Sequence, residues 1–269
     1  MAIKVCIAGT TGWTGSVVAR HLLASDEFEV VGAIARRTAG SDLGETLGLA
    51  ANGVLIHASL DEVLASGAAP DVLVDYTDPT SVKARTFEAL AQGIRVVVGT
   101  SGLTGADYAE IEREAVARGL GVVAAGNFSI TAALAKHFSL LAARHLPSWE
   151  IIDYAKAGKV DAPSGTVMEL AESLGEIAQS KLAVEIDNTI GPREVRGATI
   201  AGAQVHSVRL PGFIIAFETI FGLPDERLTI RHDAGSGAEP YVAGTLLAAT
   251  KVMTVTGLVR GLDRLLFNS

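Results

Sequence analysis

The chain has 269 residues, 49% of them hydrophobic and 29 of them glycine, which suits one large or two modest folded domains and excludes a disordered or fibrous chain. A formal net charge of −8 argues against a general nucleic-acid binder. No apolar run reaches the roughly 18 residues of a spanning helix without a charge or a turn, and the first strand starts at once with no leader, so a cytoplasmic protein with no membrane partner is expected.

Ile3 to Ala8 (IKVCIA) is a short apolar run suited to a buried parallel strand, and its Cys6 reads as a small buried hydrophobe. The glycine-rich GTTGWTG follows, and then SVVARHLLAS with apolar residues at helical spacing. Glu29 to Ala35, Asp71 to Thr77, Arg95 to Thr100 and Gly121 to Ala125 read as further strands. Helices are expected between them at about Pro79 to Gln92 and Ala106 to Arg118. Strands alternating with helices predict an α/β, Rossmann-like parallel sheet. After Asn127 the texture changes, with a long helix over Ile130 to His145, a strand over Glu150 to Tyr154 and a helix over Gly165 to Gln179. Gln204 to Leu210, Phe213 to Phe221 and Arg227 to His232 read as three strands whose short links favour antiparallel neighbours, before a last helix over Tyr241 to Met253. The expected organisation is a dinucleotide-binding domain of residues 1–127 and 237–269, with an α+β domain of residues 128–236 built on a mainly antiparallel sheet.

Gly9, Gly12 and Gly15 stand as G-x-x-G-x-x-G between a strand and a helix. Small residues there let the backbone turn tightly and approach a pyrophosphate, and the helix start offers amides and a positive dipole end. Gly9, Thr10, Thr11, Gly12, Trp13 and Thr14 are therefore expected to contact a dinucleotide. The second strand ends Ala35-Arg36-Arg37, with no carboxylate for the ribose hydroxyls of NAD and two guanidiniums for a 2′-phosphate, which points to NADPH, with NADH as the alternative. The strand-end loops Asp75 to Pro79, with Thr77, and Gly99 to Gly102, with Thr100 and Ser101, are expected to wall the nicotinamide side of the same crevice.

"DYAKAGKVDAPSGT", Asp153 to Thr166, places Lys156 and Lys159 ahead of a helix that opens Ser164-Gly165-Thr166. Helix-start amides, two hydroxyls and two ammonium groups suit a carboxylate. Lys156, Lys159, Tyr154 and water are the proton sources within this stretch. The six histidines read as structural or exposed, with no pair at metal-ligand spacing, so no metal site is expected.

The ordered set GTTGWTG, VDYTDP, GTSG, GNFSI, KVDAPSGT, VHSVRLPG and ERLTIRH resembles the 4-hydroxy-tetrahydrodipicolinate (dihydrodipicolinate) reductase family of bacterial lysine biosynthesis over nearly the whole chain. The resemblance implies hydride transfer from NADPH or NADH, a C-terminal domain for substrate and tetramer formation, and a homotetramer. It extends the cofactor set to Ala125, Gly126, Asn127 and Phe128, makes Lys159 the catalytic lysine, and gives Gly165 and Thr166 to a substrate carboxylate. The family's E-x-H-H-x-x-K stretch reads here Asp153-Tyr154-Ala155-Lys156-Ala157-Gly158-Lys159, so Ala155 and Lys156 stand where adjacent histidines are usual. Ala216 replaces a histidine common before the strand residues matching Phe217-Glu218, and HDAGSGAEPY lacks the usual arginine. The function expected is an NAD(P)H-dependent reductase of a small carboxylated imine, iminium or conjugated substrate other than the usual lysine-pathway intermediate. The alternatives are the lysine-pathway reductase itself and a non-catalytic NADP-binding protein.

Overall fold

The computed structural model describes residues 2–267. In chain order they form β1 (Ile3–Ala8), α1 (Trp13–Ala24), β2 (Phe28–Ile34), α2 (Leu43–Thr46), β3 (Ile56–His57), α3 (Leu60–Ala65), β4 (Val72–Asp75), α4 (Val82–Ala91), β5 (Arg95–Val98), α5 (Gly105–Arg118) and β6 (Gly121–Ala124). There follow α6 (Ile130–Ala143), β7 (Trp149–Ala155), α7 (Gly165–Ile177), β8 (Ala198–Ile200), β9 (Ala203–Arg209), β10 (Ile215–Leu223) and β11 (Glu226–Ala234). The chain closes with α8 (Val242–Lys251), β12 (Gly257–Arg260) and α9 (Leu262–Phe267). Residues 2–130 and 238–267 form one compact unit, and Thr131–Gly237 a second.

Among the described residues, the first unit holds a seven-stranded sheet in the order β12-β6-β5-β4-β1-β2-β3, with every neighbouring pair parallel. Helices cover its strands, so the strands read as continuous apolar runs; Val5, Cys6, Ile7 and Ala8 are fully buried. Each fully buried large aliphatic side chain of this core contributes roughly 1.5–3 kcal/mol relative to exposure. The sheet grows from β1 toward β2 on one side and toward β4 on the other. The ends of β1 and β4 therefore flank a topological switch point, where open α/β sheets take their ligands. α5 starts with a Thr104–Asp107 capping box and stops at Gly119, whose φ is +65°.

The second unit holds a five-stranded sheet in the order β11-β10-β7-β9-β8. Its pairs are antiparallel except β7 with β9. This corrects one expectation: β9 and β10, joined by a short link, are not neighbours. β7 lies between them, and the residues from Leu210 to Ile214 suffice to cross the roughly 10 Å of one intervening strand. α6 and α7 cover one face, where Ala132, Val167, Leu170 and Leu174 pack on Trp149, Ile151 and Phe217. The short strands β3, β8 and β12 and the helices α2, α3 and α9 carry too few residues to show a period, and they are additions to the sequence reading.

Candidate active site

The turn after β1 is built from absences of side chains. Gly9 has φ +86°, and a Cβ on it would overlap the carbonyl of Tyr76; a Cβ on Gly15 would overlap the carbonyl of Gly9. α1 thus packs directly on the end of β1. Gly12 is the N-cap of α1 and supplies no side-chain cap, so the first turn keeps its amides for a ligand. Thr10 is fully buried, and its Oγ1 has no hydrogen-bond partner. Thr11 is exposed, Thr14 partly so, and Trp13 packs edge-on against Tyr241 with ring centroids 5.7 Å apart.

Beside this turn is a cleft of about 360 Å³, lined by Gly9, Thr11 and Gly12, by Ile34 to Arg37 after β2, and by Tyr76 to Asp78 after β4. Arg36 and Arg37 are both exposed at its edge. The strand-end loops are tied by Asp75, a fully buried carboxylate. Its Oδ2 accepts from Arg85 Nη1 at 2.7 Å; its Oδ1 accepts from Thr77 Oγ1 at 2.6 Å, Thr77 N at 2.9 Å and Thr100 Oγ1 at 2.9 Å. The hydroxyls of Thr77 and Thr100 are thereby committed to holding the loops. Gly99 lies under the Tyr76 ring, Ser101 is exposed, and the Tyr76 hydroxyl is 2.6 Å from Thr245 Oγ1 of α8. Ala125 and Phe128 are buried, and Phe128 meets the Tyr76 ring edge-on at 6.1 Å. Gly126 is exposed, and Asn127 Oδ1 accepts from Ser129 N at 2.8 Å. The glycines that let α1 pack on the end of β1, the uncapped first turn of α1 and the two guanidiniums at the cleft edge fit a dinucleotide.

Arg85 is an addition to the sequence-expected set; Asp75 and Asp78 lie in the expected strand-end loop, but their separate roles as anchor and ion-pair partner are new. Asp75 and Asp78 sit within VDYTDP, but a carboxylate at a strand end reads first as a helix cap. Arg85 is distant in sequence from the strand end it serves.

In the second unit, alternation along β7 puts Asp153 and Ala155 on the helix-covered face and Tyr154 on the other. Asp153 is fully buried. Its carboxylate accepts from Ser164 N and Ser164 Oγ, each at 2.8 Å, from Arg209 Nη2 at 2.6 Å and from Ser207 Oγ at 3.3 Å. Ser164 caps α7 through Val167 N at 3.4 Å, so its hydroxyl shapes the helix start from within. Gly165 and Thr166 are half-buried in the first turn. Lys159 is partly buried with Nζ 2.7 Å from Asp161 Oδ1, and its amide donates to the Lys156 carbonyl at 3.0 Å. The Lys156 side chain is exposed, and Ala155 lies in register between Arg209 and Ile215. Tyr154 donates to Glu218 Oε1 at 2.7 Å under the Arg231 guanidinium, and burial and Glu218 raise its pKa. It faces away from the side that holds Asp153, which removes it as a proton source for the Lys159 loop. His232 Nε2 lies 3.0 Å from Thr131 Oγ1, and burial lowers its pKa. His206 Nε2 lies 2.8 Å from Glu150 Oε2.

Residues 3–128 match the family model for the dihydrodipicolinate reductase N-terminus, and residues 127–266 match that for its C-terminus. The chain is 41% identical over 269 residues to the 4-hydroxy-tetrahydrodipicolinate reductase of Moorella thermoacetica, covering 98% of each protein. It is 37% identical over 264 residues to that of Bacillus pumilus, again covering 98% of each. Among solved structures it is similar to the dipicolinate-bound dihydrodipicolinate reductase from Paenisporosarcina sp. TG-14, with a TM-score of 0.80, 31% identity, and 98% and 99% of the two chains covered. An amine dehydrogenase from Mycobacterium smegmatis shares the fold at a TM-score of 0.67 and 18% identity, covering 98% and 96%. The matched models and relatives span both units from strand to strand, and the chain belongs to the dihydrodipicolinate reductase family of NAD(P)-dependent oxidoreductases.

Proposed function

We propose that the chain is an NADPH-dependent 4-hydroxy-tetrahydrodipicolinate reductase that also accepts NADH. The observation that carries the reading is the α7 helix start, where Gly165 and Thr166 follow a buried Asp153–Ser164 anchor and Lys159 stands on the preceding loop. Such a start takes a carboxylate, and the named substrate of the relatives is a dicarboxylate. The expectation of a different substrate gives way to this one, because relatives alike over the full length carry that name.

The nicotinamide, when bound, supplies the hydride. Gly9 to Thr14 hold the pyrophosphate at the α1 start, and Arg36 and Arg37 take the 2′-phosphate. Asp75 keeps the Thr77 and Thr100 loops in place with three hydrogen bonds and is itself held by Arg85. Lys159 neutralises a substrate carboxylate and orients the ring, displacing Asp161 as its partner. The remaining proton comes from Lys159, from Lys156 or from water. The open face of the second sheet, with Ile152, Val208 and Ile220 half-buried, assembles four copies into a homotetramer.

A second reading is favoured by Ala155 and Lys156 at the positions that the resemblance gives to histidines: a reductase of another carboxylated cyclic imine. One assay separates the two. NADPH oxidation is followed by absorbance with 4-hydroxy-tetrahydrodipicolinate, and in parallel with cyclic imino acids and keto acids. The first reading expects the highest kcat/KM on the first substrate. Turnover confined to another imine overturns it, and tight NADPH binding with no turnover on the panel assigns a binding protein. A monomeric mass at micromolar concentration overturns the tetramer.

A further inference from the structure

Asp78 and Arg36 reach the dinucleotide cleft from two different strand ends, β4 and β2. Nη2 of Arg36 lies 3.6 Å from Oδ2 of Asp78, and both residues line the cleft with Gly9 and Thr11. Asp78 is fixed in place by the approach to α4. Ser81 Oγ donates to its Oδ2 at 2.8 Å, while Thr80 N, at 3.1 Å, and Thr80 Oγ1 donate to its Oδ1. Thr80, then Ser81 and Arg36, hold its carboxyl down at about 2, so it is an anion at any working pH. In a cleft of this class the end of the second strand receives the adenosine ribose. A carboxylate there accepts the two ribose hydroxyls of NADH, and a guanidinium takes the 2′-phosphate of NADPH. This chain brings one of each to the same place and pairs them.

We propose that Asp78 is the residue that sets the balance between NADPH and NADH. As the resident counter-ion of Arg36 it competes with a 2′-phosphate for the guanidinium and offers an acceptor to an unphosphorylated ribose. NADPH preference is held down as a result, and NADH remains usable. Arg37 stands next along the chain at the cleft edge, so one cation still favours the phosphate while Arg36 is paired. The pair is exposed, with Arg36 at 81% and Asp78 at 36% of side-chain area, so its influence is screened by salt. The inference rests on the dinucleotide reading of the cleft.

Asp78→Asn removes the charge at constant size: its one carbonyl oxygen still accepts from Thr80, and its amide nitrogen can donate to the Ser81 hydroxyl. The dissociation constants of NADPH and NADH are measured by titration calorimetry on the full chain without substrate. In Asp78→Asn the NADPH affinity rises and the NADH affinity does not, so their ratio shifts by about tenfold toward NADPH at low ionic strength, and by less at about 0.5 M salt. Arg36→Gln in the Asp78→Asn background abolishes the gain. Ser81→Ala, which loosens the loop and keeps the charge, leaves the ratio within about twofold of the wild type. A ratio unmoved in Asp78→Asn, or moved as far by Ser81→Ala, overturns the inference while the cofactor reading stands. A wild-type chain that binds neither dinucleotide at about 1 mM overturns both.

Discussion

Asp75, the last residue of β4, and Asp153, two residues before the end of β7, are both fully buried, and each is paired with one arginine. Arg85 stands 2.7 Å from the first and Arg209 2.6 Å from the second. Both carboxylates also gather a serine or threonine hydroxyl and a backbone amide from the neighbouring loop. They differ in what they leave at the nearby helix. Asp75 ties together the loops after β4 and β5, and the start of α1 is left with glycine and no cap. Asp153, on β7, lies against the start of α7 and holds its capping serine. On the proposed function, the glycine start of α1, which has no side-chain cap, is the one that takes a diphosphate. On the same proposal, the serine-capped start of α7, with Asp153 beneath it, takes a small anion with the help of Lys159. The same buried pair thus serves an open cradle in one unit and a filled one in the other.

The comparison breaks most visibly at the arginines. Arg85→Met and Arg209→Met each leave a buried carboxylate without its counter-ion, and each lowers stability by about 3–5 kcal/mol. Urea denaturation followed by probes in each unit reads this as early loss of the unit that carries the change. A variant that unfolds like the wild type would remove its pair from the comparison. Gly9→Ala sharpens the open side. A Cβ at positive φ against the Tyr76 carbonyl weakens NADPH binding at least about 100-fold, and the strain costs about 1–3 kcal/mol. Calorimetric titration and thermal melting measure the two effects separately.

Lys159→Ala tests the filled side, where kcat/KM falls about 100-fold with the NADPH dissociation constant unchanged. An unchanged kcat/KM would take Lys159 out of the site. Ser164→Ala removes the α7 cap and the Asp153 hydroxyl contact, lowering stability by about 1 kcal/mol and raising the substrate KM more than it lowers kcat. Thermal melting and steady-state kinetics report the two parts. The smallest effect belongs to Cys6, whose thiol is pushed up to about 12 by burial in the core of β1. Thiol reagents at neutral pH leave activity and melting temperature as they were, and mass spectrometry finds Cys6 unmodified in the native chain.

Periodicity along the chain determined the larger strands and helices, because each is a local pattern of apolar residues wide enough to read. The glycine turn and KVDAPSGT were legible for a related reason: backbone approach and helix starts are local, so the residues that make them are neighbours in sequence. Short pieces such as β3 and β12 were silent, being set by the sheet edge they pair with rather than by their own residues. The placement of β7 between β9 and β10 was equally hidden, since a short link fits both a neighbour and a next-but-one strand. Tertiary structure alone decided the charge partners. Arg36 meets Asp78, Arg85 meets Asp75, and Arg209 meets Asp153 across stretches with no shared period. A side-chain ion pair is chosen by distance in space and by burial, and the backbone path that brings its partners together is a property of the whole fold.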